Sequence, residues 1–168
     1  MVGFTLTVMI VGAIIAAYAD ARTRRIPNLL TGTLAAVAIA ASAFSGPASI
    51  GTTIVVMLVV FLVGTIAFSL GWFGGGDVKL LAACAGLAGY PGAISVVLYT
   101  FLAGGFVVVA DALRRRRLGA VVASTVMVAS TGVAPAERHA VPYGIAIAVG
   151  ALVYGLSLTV FPSLRLHL

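Results

Sequence analysis

Three stretches of this chain, residues 1–19, 26–76 and 80–110, contain no Asp, Glu, Lys or Arg. About 20 consecutive apolar residues are enough for a helix to cross a bilayer, and a soluble core of this size has no need of uncharged runs that long. Charged residues make up 8% of the 168 positions and hydrophobic residues 62%, whereas soluble domains carry roughly a quarter charged. The predicted fold is therefore all-α, a polytopic membrane helical bundle.

The run 26–76 is too long for one crossing and is broken by Ser45-Gly46-Pro47-Ala48-Ser49, a turn signal. The run 80–110 contains Gly89-Tyr90-Pro91-Gly92, which separates a short helix over 77–88 from a longer one ending near residue 111. With residues 141–161 as the last apolar stretch, six spans are expected, in a single domain covering 1–168. Residues 118–136 hold Ser124, Thr125, Ser130, Thr131 and Gly132 and read as a surface-lying helix and loop in preference to a seventh crossing. The first run has no basic flank before it, and Asp20 with its basic followers stands where a signal peptide would have small residues. It reads as a retained span.

The formal charge of +6 does not make a nucleic-acid-binding face, because the cations fall in small groups between spans and not along one surface. Arg22, Arg24 and Arg25 form one group, Lys79 stands alone, and Arg114, Arg115, Arg116 and Arg117 with Arg138 form the third. Basic loops stay on the cytoplasmic side. With the N-terminus outside, eight of the ten cations lie on that side, which predicts a multi-pass protein of the cytoplasmic (inner) membrane. The run Arg114 to Arg117 is an expected anchor for anionic lipid, and Asp111 beside it an ion-pair partner. Trp72, Phe73, Tyr90 and Tyr143 suit interfacial belts. Gly64, Gly86, Gly104 and Gly105 suit close helix packing, as does the single cysteine, Cys84. His139 is a lone loop histidine with no second ligand nearby, so neither metal nor cofactor enters the reading.

Chemistry concentrates on the acids. Of only four in the chain, Asp20 and Asp77 sit where a span meets the inner face, and an ionisable group at such a place is by default functional. Each also has a plain structural reading, Asp20 as a helix-end charge balanced by Arg22 or Arg24 and Asp77 as an N-cap. Their joint appearance on one membrane face favours chemistry. Two carboxylates held close share a proton and titrate as a pair, which permits one to take a proton from water while the other donates to a peptide carbonyl. Gly74-Gly75-Gly76 before Asp77 suggests unusual backbone angles and room for an extended substrate. It also suggests a mobile segment, with the two carboxylates too far apart to share a proton when the site is empty. A transporter or assembly subunit binding a proton or cation through Asp20 and Asp77 is the alternative; transporters, however, place such groups near midplane in broken helices.

Gly74-Gly75-Gly76-Asp77-Val78-Lys79-Leu80 resembles the G-x-G-D segment, with its following K-L, of bacterial prepilin peptidases. Asp20 to Asn28, reading D-A-R-T-R-R-I-P-N, is similar to that family's other catalytic segment, and Val141-Pro142-Tyr143-Gly144 to its P-[FY]-G turn before the last helix. The resemblance implies that Asp20 and Asp77 are the catalytic pair of a GxGD membrane aspartic protease. Gly74, Gly75, Gly76, Lys79, Pro27, Asn28, Pro142, Tyr143 and Gly144 would shape the site or contact substrate. The implied substrates are type IV prepilins or pseudopilins, cut at the cytoplasmic face before their hydrophobic helix. Two departures stand out: Ile145 follows the turn where many members have proline, and there is no cysteine-rich cytoplasmic insertion. The second implies the short, peptidase-only form of Flp/Tad pilus systems, without N-methyltransferase activity. The presenilin kind of GxGD protease carries a Tyr-Asp pair, and here Ala19 precedes Asp20.

Overall fold

A computed structural model describes residues 2–70, 73–114 and 143–160 together with positions 119 and 123. All the regular structure among these residues is helical: α1 (Val2–Thr23), α2 (Asn28–Ala43), α3 (Pro47–Ser69), α4 (Gly75–Ala88), α5 (Gly92–Arg114) and α6 (Tyr143–Val160). The all-α helical bundle expected from the sequence is what is found.

Local chemistry sets the helix boundaries. α1 ends as Arg24 turns into the left-handed region at φ 54°, its N–H bonding back to Asp20 O at 2.8 Å. The Thr23 hydroxyl braces the turn by donating to Ala19 O at 2.8 Å and Arg25 O at 3.1 Å. Pro27 then caps α2, and its carbonyl accepts the N–H groups of Leu30 and Thr31. At the next turn Gly46 adopts φ 105°, open to glycine without Cβ strain, and Pro47 begins α3. Pro at a first helical position loses no hydrogen bond and arrives with the right φ.

Among the described residues, four helices are long and apolar enough to cross a membrane: α1, α3, residues Gly92–Ala110 of α5, and α6. α2 and α4 have 16 and 14 residues, rising about 24 and 21 Å at 1.5 Å per residue against a hydrocarbon core of about 30 Å. About six membrane helices were expected and six helices are described, four of spanning length and two, α2 and α4, shorter. Apart from positions 119 and 123, residues 118–136 lie outside the described residues, as do Arg115 to Arg117, Arg138, His139, Trp72, Pro142 and the side chain of Asp111.

α4 is the centre of the described bundle and packs against the five other described helices, which follow one another around it in the order α3, α2, α1, α6, α5. Every residue from Leu80 to Leu87 is buried. The run Ala82-Ala83-Cys84-Ala85-Gly86 permits this, because small side chains let neighbouring backbones approach. A Cβ on Gly64 of α3 would stand 2.7 Å from Val78, and one on Gly86 of α4 2.6 Å from Met57, so α3 and α4 meet through these two glycines. Gly104 of α5 likewise makes room for the Tyr143 hydroxyl, whereas Gly105 faces open space and contributes no packing. The outer surfaces are strongly apolar: Leu62 and Ile66 on α3 and Phe106 on α5 are more than half exposed. A patch of that extent belongs against another apolar phase, here the lipid of a multi-pass membrane protein.

Candidate active site

Asp20 lies in the last full turn of α1 and is only 8% exposed. Its Oδ2 accepts the backbone N–H of Gly144, at the start of α6, at 3.1 Å. That N–H belongs to the first turn of a helix, where it has no intrahelical acceptor, so the carboxylate satisfies an orphan donor and is fixed by it. The fit is close: a Cβ on Gly144 would lie 3.1 Å from Asp20 Cβ and 3.3 Å from Ala17 Cα.

Asp77 lies in the first turn of α4. Its Oδ2 accepts the Gly74 N–H at 3.1 Å, which is the carboxylate half of a capping box; glycine has no side chain to return the other half. Oδ1 of Asp77 is enclosed and has no hydrogen-bond partner among the described residues, Asp20 included. α4 is not one of the spanning helices, and in its first turn the Asp77 carboxyl is pushed up to about 6. Burial is the largest cause, the nearby charge of Asp20 adds to it, and the Gly74 N–H offsets part. Both carboxylates line one open cleft of about 270 Å³, together with Arg24, Arg25 and Ile26 of the α1–α2 turn, Asn28, and Gly74 to Gly76.

The glycine triplet serves differently from the sequence expectation. Gly74 has φ −80° and ψ 150°, and neither Gly75 nor Gly76 is among the positive-φ glycines. Their value is the missing Cβ. On Gly74 it would sit 2.8 Å from Asp77 Oδ2, and on Gly76 3.1 Å from Ile26 Cβ, while on Gly75 the nearest atom would be 3.8 Å away. The first and third positions are sterically committed and the middle one is not, which is the physical content of a G-x-G-D pattern.

Two supports tie the carboxylate-bearing segments together. Lys79, one residue beyond Val78 in α4, donates from Nζ to Asn28 Oδ1 at the start of α2 at 2.9 Å, bridging the chain just after Asp20 to the chain just after Asp77. On the other side the Tyr143 ring meets Phe73 edge to face at 4.5 Å, and Phe73 meets Phe101 of α5 at 5.6 Å. Phe73 is buried and Tyr143 partly so, which corrects their assignment to an interfacial belt; Tyr90 remains exposed. Phe73, placed directly before Gly74, thus belongs to the supports of the site. Pro27 caps α2 and is not among the residues lining the cleft. Among the described residues no three or more His, Cys, Asp or Glu side chains gather as a metal-holding group.

Two acids from separate helices, one anchored by Gly144 and the other by Gly74, thus face one small cleft. The model of the type IV leader peptidase family matches residues 7–109, a span that includes both. The chain belongs to that family. Neither a curated protein nor a solved structure gives a match. Membership among the leader peptidases makes the protein a peptidase and weighs against the transporter alternative. Tyr143 and Gly144 lie beyond the matched residues, and their contacts with Phe73 and Asp20 bring the last helix into the same site.

Proposed function

We propose that this leader peptidase is an aspartic endopeptidase that removes the basic leader of type IV prepilins or pseudopilins of the Flp kind, with Asp20 and Asp77 as its catalytic pair. The observation that carries the reading is that both carboxylates line one cleft and Asp77 Oδ1 has no hydrogen-bond partner among the described residues. A buried acceptor without a partner is costly and is relieved when a proton, water or substrate carbonyl meets it.

The raised Asp77 carboxyl is the natural holder of the pair's proton. In the proposed reaction water enters between the acids, gives a proton to Asp20 and attacks the scissile carbonyl carbon, while Asp77 donates its proton to the carbonyl oxygen. The diol then collapses: Asp77 recovers the proton as the carbonyl reforms, the C–N bond breaks, and Asp20 passes its proton to the departing amine. Each acid ends as it began. The backbone N–H groups of Gly144 and Gly74 keep the carboxylates oriented throughout, which is the positioning an acid–base pair requires.

The active site is assigned to the cytoplasmic side of the inner membrane, because Arg22, Arg24, Arg25 and Lys79 cluster at the same end of the bundle as the acids and basic termini stay inside. Arg114, exposed at the end of α5, begins the basic run assigned to anionic lipid. The test is to reconstitute the protein with a type IV prepilin and sequence the product's N-terminus. Cleavage between the basic leader and the hydrophobic segment supports the reading; an uncut prepilin, or a cut within the hydrophobic segment, contradicts it.

A further inference from the structure

A second cavity, about 330 Å³, lies between α2, α3 and α4 and is walled by Ala35, Met57, Phe61 and Ala82. Its few polar groups are already engaged: the Thr31 hydroxyl donates to Asn28 O at 3.1 Å, and Lys79 is bonded to Asn28 Oδ1. Asn28 lines this groove and the catalytic cleft alike. The two spaces therefore meet at the Lys79–Asn28 bridge, apolar on one side and carrying the two acids on the other.

We infer that the groove between α2, α3 and α4 is a substrate subsite that receives the apolar segment following the scissile bond, with the Lys79–Asn28 bridge as the threshold between that segment and the bond to be cut. This rests on the peptidase reading above. A polypeptide with a basic part and a hydrophobic part changes character at one point along its length, and the protein surface changes character at the bridge. Seating the hydrophobic part in the groove leaves the preceding residues over the cleft, so the bridge sets which peptide bond reaches the acids. Continuity with the cleft favours a peptide over a lipid acyl chain, because the occupant's next atoms must lie beside Asp20 and Asp77.

Gly32 lines the groove and a Cβ there meets nothing within 4 Å, so a probe can be placed without disturbing the packing. Cys84 is fully buried and escapes thiol reagents. The experiment places a benzophenone maleimide on Gly32→Cys, and separately on Leu62→Cys at the exposed face of α3, both in an Asp20→Asn background that leaves prepilin uncut. Each protein is reconstituted with a type IV prepilin in phosphatidylethanolamine–phosphatidylglycerol vesicles and irradiated. The expected result is prepilin crosslinked from position 32, mapped to its apolar segment, at about tenfold the yield from position 62, as an order of magnitude in occupancy gives. Crosslinks from position 32 to lipid alone, with unsubstituted protein still cutting the prepilin, overturn the subsite and leave the peptidase reading standing. Unsubstituted protein that does not cut the prepilin overturns both.

Discussion

The N–H of Gly144 donates to Asp20 Oδ2 at 3.1 Å, although 124 positions separate the two residues in the chain. The last helix therefore completes the surroundings of an acid carried by the first. The adjacent Tyr143 reaches the other arm through Phe73, next to the Gly74 that holds Asp77. One dipeptide at the start of α6 thus supports both carboxylates.

Gly144→Ala should separate activity from folding. The added methyl must push Asp20 or the α1 backbone at Ala17 aside by a few tenths of an ångström; a shift of about 1 Å at a catalytic group costs about 100-fold, so this smaller one costs about tenfold. Peptide cleavage should fall by that order while detergent-extracted protein keeps its helical circular dichroism. Full activity in Gly144→Ala would show that the Asp20 position tolerates movement.

The glycine triplet should respond position by position. Gly75→Ala has open space before it, whereas Gly74→Ala pushes into Asp77 Oδ2 and Gly76→Ala into Ile26. Cleavage rates should stay within about twofold for the middle substitution and drop at least about tenfold for Gly74→Ala, a loss of roughly 1.4 kcal/mol in the transition state. Equal sensitivity of Gly74 and Gly75 would indicate backbone freedom as the requirement.

Removing the bridge between the two arms, by Lys79→Met or by Asn28→Ala, should lower kcat by about tenfold, since a charge-assisted hydrogen bond contributes about 1.5–3 kcal/mol where it is fully formed and this one is exposed. The double variant should be no worse than either single one, because both remove the same contact. Additive losses would assign the two residues separate roles.

The pH profile follows from Asp77. Its carboxyl is raised from 3.8 to about 6, so it keeps its proton below that value and releases it as pH rises through it. If this is the proton delivered to the carbonyl oxygen, kcat/KM declines on the alkaline side about tenfold per unit above the apparent pKa. That pKa belongs to the two interacting acids together. An alkaline limb that begins far above neutrality would point to another proton donor.

Much of this arrangement was legible in the sequence because membrane proteins carry few ionisable groups. Asp20, Asp77 and the Tyr143-Gly144 pair stood out as two acids and a turn, and the fold places them together. The number of helices was legible, but the central place of α4 was not. Hydropathy records that the α4 run is apolar but not that this 14-residue helix is buried among its neighbours. The same limitation applied to Phe73, whose ring packs inward on Tyr143 although its sequence position suits an interface. The Lys79–Asn28 bridge was beyond reach for a different reason: two polar residues 51 positions apart carry no local mark of being partners.

Asp20→Asn and Asp77→Asn, each confirmed as membrane-inserted at the level of the unsubstituted protein, should be co-expressed with a type IV prepilin and followed by the size shift of processing. Loss of a member of an acid–base pair costs about 100- to 10,000-fold, so each variant should leave the prepilin at its full length. Processing that survives either substitution would remove that residue from the chemistry and contradict the two-acid mechanism.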